Sequence, residues 1–195
     1  MNLYWHKIWE KKGKQDTNDL KQLDGFEYTD INSKLVALNI SKALLINKNS
    51  NILEVGCGSG MIAQHLISKS NLYLGIDYSS SLVKKYIENL KSPAIKIEAA
   101  NLPFKNKFFD SSFAFSVFHY FIDYNYASMV INEMTRISKN KIFIGDLPKI
   151  SNRKEHLIYS EDNLSKWINL KKYEKPIITD GFYNKERFNI LLTIK

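Results

Sequence analysis

Nine residues constrain this chain more than any others: Ile52-Leu53-Glu54-Val55-Gly56-Cys57-Gly58-Ser59-Gly60. An apolar run that ends near an acid and passes into three alternate glycines predicts a buried parallel strand entering a tight turn. Met61-Ile62-Ala63-Gln64-His65-Leu66-Ile67 follows with apolar residues at helical spacing, which predicts a helix behind the turn. Glycine suits such a turn because it accepts positive φ and has no Cβ to hold a ligand away from the backbone. A helix N-terminus at this point offers free N–H groups and the positive end of its dipole to a carboxylate or phosphate.

A dinucleotide site carries G-x-G-x-x-G after its strand, whereas this chain has E-x-G-x-G-x-G. That pattern resembles motif I of the class I S-adenosylmethionine (SAM) methyltransferases. The resemblance implies SAM as cofactor and S-adenosylhomocysteine as product. It also implies that Gly56, Gly58 and Gly60 pack against the methionine end, and that a second acid holds the ribose hydroxyls. Asp77 is the candidate, in Gly75-Ile76-Asp77-Tyr78-Ser79 after the apolar Leu72-Tyr73-Leu74. It stands about 20 residues beyond the glycine turn, the spacing of nucleotide-binding α/β units. Tyr78 beside it joins the expected cofactor site. Cys57, set between glycines, reads as a small filler in that site and not as a nucleophile.

The 195 residues are enough for one domain with a central sheet covered on both faces. No apolar run reaches the roughly 20 residues that span a bilayer, and Met1 to Lys7 lack the apolar core of a signal peptide. A single cysteine forms no internal disulfide, in keeping with a reducing cytoplasm. The expectation is a cytoplasmic protein with no membrane partner, as monomer or homodimer. The net charge of +8 comes from 28 basic residues, of which only Arg136, Arg153 and Arg187 are arginines. Nucleic-acid readers rely on arginine clusters or dense basic runs, and here the lysines are dispersed. They read as solvated faces or as a field that draws in an anionic acceptor.

Residues 3–13 predict a short helix stopped by Gly13, with Trp5 and Trp9 on one face. These tryptophans either anchor the helix or, with Tyr4 and His6, close over cofactor and acceptor. Residues 16–30 read as polar loop, with Asp24-Gly25 a turn, and 31–46 as an amphipathic helix. The first strand is placed at 51–55, the second at 72–76, and a helix capped by Ser79 or Ser80 at 80–90. Strand three is placed at 94–98, strand four at 113–118, a helix at 124–138 and strand five at 141–146. A further helix is expected at 160–170. Residues 173–179 and 187–194 alternate like strands joined across Asp180-Gly181. Together these predict an α/β, Rossmann-like doubly wound sheet of seven strands, mostly parallel with an antiparallel last strand. Within one domain over 1–195, residues 1–46 form a helical cover, 50–146 the cofactor core, and 147–195 the acceptor side and terminal hairpin.

Ligands of such sheets bind outside the carboxyl ends of the strands, where Glu54, Asp77, Glu98, Ser116 and Asp146 all fall. Glu98-Ala99-Ala100-Asn101-Leu102-Pro103-Phe104 resembles the family's D-A-x-x-L-P-F segment. This implies that Glu98 meets the adenine amino group and that the Ala99 N–H meets its ring. Glu54 either holds the cofactor or braces the glycine turn. His119, just past strand four, matches a histidine the family often places beside the methyl group. It titrates near neutrality, as a base for an alcohol acceptor should, and Tyr120 beside it would shape the acceptor pocket. No Cys, His and carboxylate cluster has metal-ligand spacing, so no metal is expected. The Tyr4-Trp5-His6 start and Ser116 to Phe121 are similar to small bacterial methyltransferases of surface polysaccharide modification. That likeness implies methyl transfer to oxygen of a small sugar or phosphate-derived acceptor. An RNA methyltransferase and a non-catalytic SAM-binding regulatory domain are the alternatives. Against RNA, residues 116–121 lack the Asn/Asp-Pro-Pro-aromatic signature of amino-directed enzymes.

Overall fold

The computed structural model describes residues 3–195; Met1 and Asn2, the first two positions of the expected cover, lie outside the described residues. Seven strands form one sheet in the order β3-β2-β1-β4-β5-β7-β6. They are β1 Asn51–Val55, β2 Leu72–Asp77, β3 Ala94–Lys96, β4 Phe109–Phe115, β5 Ser138–Pro148, β6 Ile177–Asp180 and β7 Arg187–Thr193. β1 pairs in parallel with both β2 and β4, and β4 with β5, while β7 runs antiparallel to β5 and β6. The expected seven-stranded, mostly parallel sheet is therefore present, with β7 inserted between β5 and β6. The chain winds outward from β1 through β2 to β3, then crosses back to β4, so the switch in strand order falls between β1 and β4.

Residue alternation along the strands divides the core in two. Ile52, Phe113 and Phe143 point to one face, under α3 (Ser33–Leu44) and residues 61–66. Leu53, Val55, Ala114, Ile142 and Ile144 point to the other, under α5 (Tyr124–Ile137) and the segment containing Tyr159, Leu164 and Trp167. A period of two in the strands places apolar side chains on both faces, so each face needs a helical layer. α4 (Ser80–Leu90) starts at an Ser79 cap, whose Oγ accepts from the Leu82 N–H at 3.3 Å.

Several expected boundaries shift. In place of a helix over 61–67 there are two short 3-10 turns, Ala63–His65 and Ile67–Lys69. Met61, Ile62, Ala63 and Leu66 are all buried. A helix with a single apolar stripe does not bury three consecutive residues, and tighter turns do. β4 occupies 109–115 and not 113–118, because Ser116 adopts φ 59 and ends the strand; Phe118–Tyr120 is then a 3-10 turn. β3 stops at Lys96, two residues early, and β5 extends to 138–148 because it pairs with β4 and β7 on either side. The expected 160–170 helix is likewise two 3-10 turns, Glu161–Lys166 and Leu170–Lys172. Within the stretch read as loop, Leu20–Leu23 forms a single helical turn, α2, capped by Asp19.

The N-terminal segment is strapped over the carboxyl ends of the strands. In α1 (Leu3–Gly13) the Glu10 carboxylate accepts from the N–H and Oγ of Ser80, at 2.6 and 2.9 Å. Gly13 is needed at the crossing with α4: a Cβ there would lie 2.4 Å from Ser81 Oγ. The Lys12 ammonium donates to the Gln22 carbonyl at 3.1 Å, and that of Lys85 to the Thr17 carbonyl at 2.9 Å.

Candidate active site

One cleft opens at the switch point. Its walls include Trp9, Asp24, Glu54, Gly56, Cys57, Gly58, Asp77, Tyr78, Glu98, Ala99, Ser116 and Tyr120. Most of the cofactor residues expected from sequence are thus brought to one cavity; Gly60 is not among its walls. Its φ of +100, and Leu90 Cδ1 only 2.3 Å from where a Cβ would stand, show that it serves the turn. Among the described residues the walls carry four carboxylates and no lysine, arginine or histidine, in a chain whose net charge is +8.

Each N–H of the glycine turn has a partner. Those of Gly56 and Cys57 donate to the Ile76 carbonyl at 2.8 and 3.0 Å, tying the turn to the end of β2. The Gly58 N–H donates to Asp77 Oδ2 at 3.0 Å, while Asp77 Oδ1 accepts from the Ser79 N–H at 2.8 Å. Burial raises the Asp77 carboxyl to about 6, although these two bonds oppose the shift. The Gly60 N–H donates to the Cys57 carbonyl at 3.0 Å, and those of Ser59 and Met61 go to a residue that the sequence reading passed over. Asp24, at the end of α2, accepts from the Ser59 N–H at 2.6 Å through Oδ1 and from the Met61 N–H at 3.0 Å through Oδ2. Desolvation raises its carboxyl to about 7. The Asp24-Gly25 turn itself was legible, but its partner lies 35 residues away in sequence and left no local signal.

Glu54 does not bond the turn. It is buried, accepts from the Tyr73 hydroxyl at 2.8 Å, and has its carboxyl raised well above the usual range by burial. Glu98 accepts a hydrogen bond from the Tyr126 hydroxyl. The loop that carries Glu98 and Ala99 is held from α5: the Arg136 guanidinium donates to the carbonyls of Leu102 and Phe104, at 2.8 and 2.7 Å.

The aromatic residues of α1 gather against Tyr78, Tyr120 and His156. The Trp9 ring lies 5.2 Å from Tyr120, that of Trp5 lies 4.7 Å from Tyr120 and 5.1 Å from His156, and that of His6 lies 5.3 Å from Tyr78. Tyr4 packs edge-on against Trp5. His119 sits behind this layer. It is buried, its ring 4.0 Å from that of Tyr120 and 4.7 Å from that of His156, and it is not one of the cleft walls. Its Nδ1 has no hydrogen-bond partner among the described residues. Burial first, then the Arg187 charge, lowers its pKa well below the usual value, so the imidazole is neutral at physiological pH. Nearby, Asp146 takes φ 65 at a bend in β5 and pairs through Oδ2 with Arg187 at 3.2 Å and Tyr183 at 3.0 Å. Positive φ at both Ser116 and Asp146 marks strain beside the cleft, where strained backbone is concentrated in functional sites.

These features tie the glycine turn to the layer above it. Gly58 has φ +54, and a Cβ there would stand 2.4 Å from Asp24 Oδ1. Gly58→Ala is therefore expected to push Asp24 off the turn and destabilise the protein by about 1–3 kcal/mol. A melting curve checks this, and an unchanged midpoint would show that the turn yields without loss.

Residues 53–143 match the family model described as a methyltransferase domain. That segment carries β1 to β5 apart from the start of β1 and the end of β5, so the core of the sheet is similar to methyltransferase domains. A curated relative, the tRNA (carboxymethyluridine(34)-5-O)-methyltransferase of Arabidopsis thaliana, is 28% identical over 93 residues, covering 48% of this chain but only 22% of that protein. Among solved structures, magnesium protoporphyrin IX methyltransferase from Synechocystis, with bound S-adenosylhomocysteine, superposes with a TM-score of 0.70 at 13% identity, over 100% of this chain and 96% of that one. The N-methyltransferase NodS from Bradyrhizobium japonicum, also with S-adenosylhomocysteine, superposes at 0.74 with 15% identity, over 97% of each chain. At these identities the structural likeness establishes the fold.

Proposed function

We propose that this protein transfers the methyl group of SAM to an oxygen of a small acceptor, leaving S-adenosylhomocysteine. The observation that carries the reading is the set of acidic groups in the cleft. Asp24, Glu54, Asp77 and Glu98 face it with no basic side chain among its walls, and a ligand with a cationic end and a ribose suits that set. The cofactor fits on its donors too. Asp77 has free lone pairs for two ribose hydroxyls, Ala99 and Glu98 stand at the adenine end, and the glycines leave room for the methionine end. When bound, SAM supplies an electrophilic methyl group on a sulfonium.

The chain's own contribution is then mainly positional, because an in-line displacement is accelerated by holding the two partners close and aligned. Trp9 and Tyr120 close the cleft and exclude water. His119, neutral and with an unpartnered Nδ1, takes the proton from the acceptor hydroxyl once the Tyr120 ring that separates it from the cleft turns aside. The acceptor side carries Arg187, and Arg153 is close enough to act on His156. These cations support an anionic acceptor, such as the sugar or phosphate derivatives handled in surface polysaccharide modification. We place the reaction in the cytoplasm, within a single domain. Among the described residues no helix is long and apolar enough to cross a membrane.

His119→Ala is expected to bind SAM within about threefold of the native protein and to lose at least about tenfold in turnover. Isothermal titration and a methyl-transfer assay on phosphorylated and sugar acceptors test this. Full turnover in the variant from pH 6 to 9 would remove His119 from the mechanism.

A second reading, transfer to RNA, is favoured by the Arabidopsis relative and the net charge. Binding to RNA dominated by phosphate contacts weakens steeply with salt. Retention of tRNA binding at physiological salt would favour it over a small acceptor.

A further inference from the structure

We propose that Asp24 is the ligand of the cofactor's α-ammonium group, and that through this contact the N-terminal segment closes over the cofactor. The proposal rests on the SAM reading of the cleft and assigns a residue that lies outside the matched segment 53–143.

Three observations carry it. Asp24 is a wall of the cleft, and both its oxygens already accept from the glycine turn, at Ser59 and Met61. Its carboxylate is thus held at the turn, where the methionine end of the cofactor is expected. Second, the acidity there has no counterpart: Asp24, Glu54 and Asp77 line the same space, Asp77 raises Asp24 and both raise Glu54, and among the described residues no cation lines it. A buried set of like charges is costly unless paired, and an ammonium supplies the pair. Third, Asp24 is packed against the cover. Gly25, next in sequence, packs so closely on the Trp9 ring that a Cβ would lie 2.9 Å from Cη2. Trp9 in turn lines the cleft and meets Tyr120. A contact made at Asp24 is therefore transmitted to the aromatic layer over the acceptor.

The test uses the full chain and two nucleosides. S-Adenosylhomocysteine has the amino-acid end, and 5′-methylthioadenosine has the same adenosine and sulfur but lacks that end. Asp24→Asn is nearly isosteric and removes the charge. The native protein is expected to prefer S-adenosylhomocysteine, and Asp24→Asn to weaken that ligand by about 10- to 100-fold, the worth of a charged hydrogen bond. Its affinity for 5′-methylthioadenosine should change by less than about threefold, because no partner of Asp24 is involved. In hydrogen exchange, residues 3–30 should gain protection with S-adenosylhomocysteine in the native protein but not in the variant. Equal losses for both ligands would show that Asp24 only braces the turn, and an unchanged affinity for S-adenosylhomocysteine would show no contact; either overturns the proposal. Should Asp24→Asn fail to fold, the native protein still decides: equal affinity for the two nucleosides overturns the proposal. Binding of neither by the native protein would instead sink the cofactor reading beneath it.

Discussion

Asp77→Ala should abolish SAM binding while leaving a folded protein. The carboxylate has two tasks that one substitution removes together. Inward, it accepts the Gly58 and Ser79 N–H groups at 3.0 and 2.8 Å, which sets the glycine turn against the start of α4. Toward the cleft, its remaining lone pairs are the acceptors we propose for two ribose hydroxyls. Each charge-assisted hydrogen bond is worth about 1.5–3 kcal/mol, so losing two corresponds to at least about a hundredfold in affinity. Folding suffers less, because the variant also removes a buried carboxylate whose desolvation raises it to about 6. Calorimetry with SAM, set beside a melting curve, separates the two effects. A variant that melts like the native protein and still binds SAM within about threefold would place the ribose elsewhere.

Cofactor affinity should climb steeply between pH 5.5 and 7.5. Burial raises Asp77 to about 6 and Asp24 to about 7, with Asp77 adding to the shift of Asp24. Both are raised, so at pH 5.5 each is largely protonated in the free protein, and each must lose its proton to accept from a cationic or hydroxylic ligand. Binding therefore releases protons at low pH, and affinity rises as pH passes through the two values. If both carboxylates must be ionised, the gain across those two pH units is on the order of a hundredfold. His119 and His156 do not mask it: His119 is not a wall of the cleft and is neutral at these pH values, and His156 is lowered to about 4. The same linkage makes the rise in melting temperature on adding SAM larger at pH 7.5 than at pH 5.5. Constant affinity over that range would mean that these carboxylates are ionised throughout and that the cleft is wetter than its geometry indicates.

Much of the site could be read from local pattern because its parts are strand ends. Glu54, Asp77, Glu98 and Ser116 each follow or close an apolar run, and a parallel sheet brings the carboxyl ends of neighbouring strands to one edge whatever the loops do. Asp77 was identifiable for a second reason: its spacing from the glycines reflects one β-turn-helix-strand unit. Strand and helix limits were less legible. The stop of β4 at Phe115 depends on the positive φ of Ser116, and the extension of β5 depends on having partners on both sides. Consecutive burial of Met61 to Ala63 likewise depends on what packs over them, and it turned an expected helix into two tight turns.

The chain's own pattern thus determined the fold, the glycine turn, the acid at the end of β2 and the aromatic face of the first helix, since each is written in spacing within one or two elements. Tertiary structure decided how these meet. Asp24 reaches Ser59 and Met61 across 35 and 37 positions, and His119 lies behind Tyr120, away from the cleft wall. An acid in a surface turn and an acid set on a glycine loop have the same sequence; only the packing of the N-terminal segment on the strand ends separates them, because desolvation and charge depend on what surrounds a group in space.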